Sequence, residues 1–347
     1  MTSFDENVVE QAALEYFAEL GFLTLHGPDI APGDAAAERA SYEDVFLWGR
    51  LRDAIGRINP GTLPALVGEA IKRVQRAESQ SSIDENYRLH KLVTEGVPVE
   101  HRGPDGTLRT TRLSLVDFEQ PEKNDWAAVN QFTIIENGKN RRPDVLVFVN
   151  GIPLALLELK NPAAEHATLK TAWNQVQTYR QNIPSVFVPN AVTVISDGMS
   201  AAMSSYSGAF EHYAPWKTVD GREVVTDRPA LEVLIKGVFE PKRFLDLLKN
   251  FVVFSDETVT DKPSGQPTRV LFKRVAKYHQ YWAVNAAVES TVQASRPDGD
   301  RRGGVVWARR ICKPRSGRSC ACAADREQRG AEDAAVDHRL APRPDRP

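Results

Sequence analysis

Cysteine is nearly missing from this chain. Only three occur in 347 residues, at Cys312, Cys320 and Cys322. The first 311 residues therefore contain neither a disulfide framework nor a thiolate metal site. Long hydrophobic runs are missing too: none approaches the ~18 apolar residues a membrane span needs. The N-terminal stretch MTSFDENVVEQ is acidic and has no apolar signal core, so no secretory leader is expected and the cytoplasm is the expected compartment. Surplus positive charge is absent from the body. Residues 1–300 carry 32 Lys+Arg against 40 Asp+Glu, a net of −8, which argues against broad non-specific affinity for a polyanion.

What is present is ordinary in bulk. Hydrophobic residues make up 41% and charged residues 26%, values of a soluble globular protein long enough for about two domains. Apolar spacing predicts helices over 5–20, 43–57, 63–77 and 84–94. The 28–40 stretch reads as a loop, and Asn59-Pro60-Gly61 is a breaker. The period then shortens: 97–102, 108–118 and 130–136 read as strands, with a hairpin at Pro104-Asp105-Gly106. The best-marked strands are 144–149 and 152–160, joined by Asn150-Gly151, a strong hairpin signal. The run Leu154–Leu157 suits burial on both faces. A helix over 168–181 with Thr168 as N-cap, a strand at 191–196, a helix at 240–249, a linker at 261–268 and a helix over 271–293 complete the reading. The fold class is α/β: a mixed sheet flanked by helices.

Chemistry concentrates at Pro143-Asp144 and, after thirteen intervening residues, Glu158-Leu159-Lys160. Glu158 and Lys160 are two apart on a strand and share a face. If Asp144 joins them across the hairpin, two carboxylates repel and a proton or divalent cation must compensate. Hard oxygen donors of this kind suit Mg2+, held through one or two carboxylates plus waters and phosphate oxygens. A lysine beside such a cation can orient the attacking water, a combination suited to phosphodiester hydrolysis. The register makes a demand. A strict two-residue turn pairs Val149 with Ile152 and sets Asp144 opposite Leu157, leaving Glu158 on the other face. A one-residue shift is needed; a bulge with left-handed Gly151 would supply it, and Pro153 fits a local irregularity. Charged residues at strand ends are also often merely solvated, but burying Glu158 and Lys160 without a function is costly.

Gln175 and Tyr179 lie four apart on the predicted helix and share a face. They suit contact with a nucleic-acid backbone, support of Lys160, or an ordinary amphipathic surface. Lys139, Arg141 and Arg142, just before Asp144, suit phosphate contacts or a solvated turn.

Residues 131–160, QFTIIENGKNRRPDVLVFVNGIPLALLELK, resemble the nuclease core of the R (restriction) subunit of type I restriction enzymes. The resemblance extends from the first helix to about Trp307 and implies a PD-(D/E)xK, restriction-endonuclease-like fold. Its catalytic motif falls on Asp144, Glu158 and Lys160, with Asp144 and Glu158 as metal ligands, and its Q-x-x-x-Y motif on Gln175 and Tyr179. Glu10, on the first helix, matches an acidic position of related nucleases. The family implies Mg2+, double-stranded DNA as substrate, methylation and specificity subunits as partners, and ATP-driven translocation by the full-length protein. Lys277-Tyr278-His279-Gln280-Tyr281-Trp282 resembles the adenine-reading glutamine motif that precedes a superfamily 2 motor, which puts Gln280 forward as a nucleotide contact; an aromatic packing helix is the alternative.

The P-loop spacing G-x-x-x-x-G-K-[ST] that the family would place after Gly303-Gly304-Val305-Val306-Trp307 does not occur. Ser316-Gly317-Arg318-Ser319 echoes it with arginine for lysine. From residue 301 the chain has 12 Lys+Arg and 6 Asp+Glu, and 308–347 holds nine arginines and no aromatic residue. A zinc site from Cys312, Cys320, Cys322 and His338 lacks the usual spacing, and a basic disordered arm fits the composition. A reading-frame change near Trp307 accounts for the shift in composition and the sudden cysteines together. The expected organisation is a nuclease domain over 1–260, a linker and the first helix of a truncated motor over 261–307, and a disordered tail over 308–347. The expected function is Mg2+-dependent DNA cleavage; an inactive remnant or docking module, and a standalone nuclease with a basic tail, are the alternatives.

Overall fold

The computed structural model describes residues 6–103, 105–161, 168–260, 267–296 and 299. Cys312, Cys320, Cys322, His338, the Ser316–Ser319 echo and most of the expected linker lie outside these residues. Residues up to Tyr278 form one compact unit, and those from His279 belong to a second.

The first unit begins with α1 (Glu6–Glu19), β1 (Leu23–His26), α2 (Trp48–Ile58), α3 (Pro64–Gln75) and α4 (Ser82–Glu95). A β-rich stretch follows: β2 (Val97–Arg102), β3 (Leu108–Leu113), β4 (Trp126–Asn130), β5 (Ile134–Glu136), β6 (Lys139–Arg141), β7 (Val145–Val149) and β8 (Ile152–Leu159). Then come α5 (Leu169–Asn182), β9 (Val192–Ser196), β10 (Ala201–Ser204), α6 (Ala230–Val238), α7 (Pro241–Asn250), β11 (Val252–Thr260) and β12 (Pro267–Val275). Of the second unit, the described part is essentially α8 (Tyr278–Ala294), which carries Gln280.

Six strands make the central sheet, in the order β1-β4-β7-β8-β9-β10. The pairs β1·β4 and β8·β9 are parallel and the other three antiparallel, so the sheet is mixed, with helices packed against it, as the sequence predicts. Every residue of β7 and β8 is buried, which is why their sequences read as near-continuous apolar runs. An aromatic cluster of Phe17, Phe22, Trp126, Phe239 and Phe244, with ring centroids 5.0–6.3 Å apart, ties α1 to β4 and to the α6–α7 corner. Thr168 caps α5 through a reciprocal capping box with Thr171.

Several local expectations are corrected. Residues 43–47 are not helical; Leu47 donates its N–H to the Gly151 carbonyl (2.9 Å) and the segment packs against the hairpin tip. Residues 271–275 are strand rather than helix, because they pair with β11 across the expected linker. Strands β1 and β10 and helix α6 were not predicted: β1 is a short edge strand, largely exposed, with no legible alternation.

The β11–β12 ribbon docks on α4 through Phe254, which packs on Tyr87 and His90. Beside it Lys273 is fully enclosed, its Nζ donating to the Asn190 carbonyl; burial pushes its amine down to about 7. Burial and Lys273 together push the His90 imidazole down to about 4. A lysine whose folded pKa is depressed weakens the fold fully below that value, and stability recovers as pH climbs toward 10.5. Lys273→Met is therefore expected to raise Tm by several degrees below pH 7, with the gain shrinking toward pH 10 in calorimetric scans.

Candidate active site

The hairpin turn is a tight one. Asn150 (φ +53°) and Gly151 (φ +76°) are both left-handed, the requirement of a type I′ turn, and Val149 pairs with Ile152. The register then shifts by one residue between Phe148, opposite Pro153, and Val147, opposite Ala155. The needed irregularity exists, but Leu154 is the inserted residue and Gly151 is not. Pro153 permits the shift here, since it donates no N–H and the ladder can be broken beside it without orphaning a donor. Beyond the shift Val145 faces Leu157, which sets Asp144 opposite Glu158.

The three motif residues meet at this end of the sheet. Asp144 Oδ2 accepts the Leu159 N–H at 2.6 Å. Lys160 Nζ lies 2.6 Å from Glu158 Oε1, and Glu158 is 1% exposed. The Lys160 N–H is held by the Ser196 carbonyl on β9 (2.8 Å). Burial, reinforced by the negative charge of Glu158, holds the Asp144 carboxyl well above the usual carboxylate range; the Leu159 hydrogen bond and Lys160 oppose this, and Glu10 adds to it.

Tyr179 is buried, with its hydroxyl donating to the Arg142 carbonyl at 3.4 Å and lying near Glu158 and Gln175. Burial and the Glu158 and Asp144 charges keep that phenol protonated far beyond its ordinary range. The Gln175/Tyr179 pair thus lies beside Glu158 and the chain leading into Asp144. Glu10 reaches the same region from α1: its carboxylate oxygens accept from Asn130 Nδ2 and Gln131 Nε2, each at 2.5 Å. Gln131 in turn donates its backbone N–H to the Asp144 carbonyl (3.1 Å). Asn130, Gln131 and His26, whose Nδ1 is 3.1 Å from Asn130 Oδ1, were missed from sequence. The available signal was an amide pair directly after the apolar run Trp126–Val129. Lys139 and Arg142 are exposed and Arg141 half-buried on the β5–β6 side. Gln280 lies on α8, in the second unit.

Two carboxylates with one lysine between them leave a shortage of positive charge, which the raised Asp144 carboxyl reports. Among the described residues no three His, Cys, Asp or Glu side chains close into a metal-binding group. The donor set is a carboxylate pair, which fits a cation that keeps most of its waters, such as Mg2+, and does not fit an all-protein cage. Among the described residues no helix is long and apolar enough to cross a membrane.

A family profile described as the type I restriction enzyme R protein N terminus matches residues 3–212. The chain is 36% identical over 309 residues to the Haemophilus influenzae type I restriction enzyme HindI endonuclease subunit, covering 87% of this chain and 28% of that protein. It is 28% identical over 326 residues to the endonuclease subunit named for the type I enzyme MjaIXP of Methanocaldococcus jannaschii, covering 87% and 30%. A Staphylococcus aureus subunit, SauCOLORF180P, is 24% identical over 199 residues. The chain thus spans under a third of the length of each of these relatives.

Proposed function

Since this chain belongs to the type I restriction enzyme R protein family through the N-terminal part of that protein, we propose that its first unit is a Mg2+-dependent DNA endonuclease. The observation that carries this reading is the convergence of Asp144, Glu158 and Lys160 across a bulged hairpin, with the Asp144 carboxyl driven up by burial and by its neighbour. Asp144 and Glu158 would hold the cation. When bound, Mg2+ would supply a Lewis acid that acidifies water and draws charge from a phosphorus centre. Lys160, kept in place by Glu158 Oε1, orients the water and offers positive charge to the phosphate. Tyr179 and Gln175 line the site beside Glu158, and Glu10 stands as an outer carboxylate beside Asp144. Arg141 and Arg142 suit phosphate contacts next to the cut. Double-stranded DNA as substrate, methylation and specificity subunits as partners, and ATP-driven delivery of DNA by the rest of the protein are part of the same reading, taken from the family.

The test is nicking of supercoiled plasmid with and without Mg2+, together with calorimetric titration of Mn2+. Lys160→Ala is expected to lose at least about 10²-fold in cleavage rate while its melting transition stays cooperative. Parental cleavage by that variant overturns the assignment. A chain that binds no Mn2+ and cleaves nothing is instead an inactive docking module.

A further inference from the structure

Strand β4 ends in a way that its own hydrogen bonding does not require. Side chains of consecutive strand residues point to opposite faces, so Asn130 and Gln131 should diverge. They converge instead: both side-chain amides grip the carboxylate of Glu10, one oxygen each, at 2.5 Å. What breaks the alternation is Gln131 itself, which sits at φ +54°, a conformation unfavourable for a residue with a Cβ and commonly retained where the surroundings enforce it. The surroundings do enforce it. The chain after β1 runs so close that a Cβ on Gly27 would lie 2.6 Å from the Gln131 carbonyl oxygen and 2.7 Å from Phe132 Cα. From this fixed point the Gln131 N–H reaches the Asp144 carbonyl. One residue therefore holds the outer carboxylate with its side chain and the Asp144 main chain with its own N–H.

We propose that Gln131 is a positioning residue of the nuclease site, setting the Glu10 carboxylate in a fixed relation to Asp144 so that it serves as an outer carboxylate behind the Asp144–Glu158 pair and the waters of the cation. The proposal rests on the endonuclease reading above. A positioning residue acts through its partner, so its loss should matter only while Glu10 is present. Loss of such an outer-shell partner typically costs about 10- to 100-fold in metal affinity or activity.

Gln131→Gly is the informative variant. Glycine accepts φ +54° without strain and keeps the N–H donor to Asp144, so the fold is preserved while the amide is removed. In the full chain, Mn2+ affinity by calorimetry and kcat for plasmid nicking are each expected to fall about 10-fold or more, with KM for DNA and Tm unchanged. In a Glu10→Ala background the same substitution is expected to change neither quantity. Equal losses with and without Glu10, or parental Mn2+ affinity and kcat in Gln131→Gly, overturn the proposal while the endonuclease reading stands. Failure of the parent chain itself to bind Mn2+ or nick DNA removes both.

Discussion

Asp144→Asn is expected to make the metal-free protein more stable at neutral pH and to end its DNA cleavage. The two effects share one cause. Folding brings the Asp144 carboxyl out of water and beside Glu158, and both raise its pKa above the ordinary value of 3.8. An acid whose folded pKa is raised contributes stability that is complete below the unfolded pKa and is lost as pH rises through the folded one. At pH 7 the parent therefore bears the cost of a buried carboxylate with too little positive charge near it. Asparagine has nearly the same shape, still accepts the Leu159 N–H through its carbonyl, and carries no charge. In EDTA at pH 7–8 the variant should melt higher, by about 2–4 °C for each kcal/mol recovered, and the two proteins should converge as pH falls toward 4. Saturating Mg2+ should reverse the order, since ligand binding stabilises the parent alone. Cleavage should drop at least about 10²-fold, beyond the effect of removing an outer-shell partner. An Asn variant that melts below the parent in EDTA at neutral pH sinks the electrostatic account; one that cleaves normally sinks the assignment of Asp144.

Gly151→Ala is expected to be the most destabilising small substitution in the first unit. The hairpin tip of such a turn is commonly at the surface, but here it is buried under the start of α2. Asn150 is fully enclosed; its side-chain oxygen takes the Asp125 N–H (2.7 Å) and its amide donates to the Leu115 carbonyl (2.9 Å) and to Asn124 (2.8 Å). A Cβ on Gly151 would sit 2.3 Å from the Leu47 carbonyl oxygen and 3.1 Å from the Arg50 Cβ. Alanine at φ +76° carries a conformational penalty of roughly 1–2 kcal/mol, and pushing backbone away from backbone adds about 1–3 kcal/mol. The expected sum, roughly 2–5 kcal/mol, lowers Tm on the order of 10 °C for a domain of this size. Gly138 supplies the control: it is also left-handed (φ +71°), but a Cβ there meets nothing within 4 Å, so Gly138→Ala should show only the conformational part. Equal losses in the two variants, measured by thermal and urea unfolding, would show that the contact with Leu47 gives way freely. Because the turn anchors the hairpin whose shift at Leu154 brings Asp144 to Glu158, Gly151→Ala should also weaken Mn2+ binding.

Much of this molecule was legible in one dimension, and for local reasons. The β7–β8 hairpin announced itself because Asn-Gly is suited to two successive left-handed residues, and because strands covered on both faces are apolar throughout. Thr168 marked the start of α5 because a hydroxyl there can satisfy a free N–H. Asp144, Glu158 and Lys160 stood out as charges set against apolar runs, and the matching requirement, a one-residue shift, followed from counting. Where the shift would fall did not. Gly151 and Pro153 both permitted it, and only the pairing of both strands with the rest of the sheet put the extra residue at Leu154. The same holds for Glu10, which is 120 residues from Asn130 in the chain: the geometry that joins them is created by packing α1 on the sheet, and no local periodicity encodes it. Residues 271–275 read as helix because their partner strand lies across a segment that looked like a linker, and pairing with β11 outweighed intrinsic preference. The sequence by itself determined which side chains are candidates for the chemistry and which segments are buried, since both follow from residue type and short-range spacing. The tertiary structure decided which carboxylates meet, how far Asp144 is driven from its ordinary pKa, and that Gln131 is held in a left-handed turn, since each of these depends on chain segments brought together only by folding.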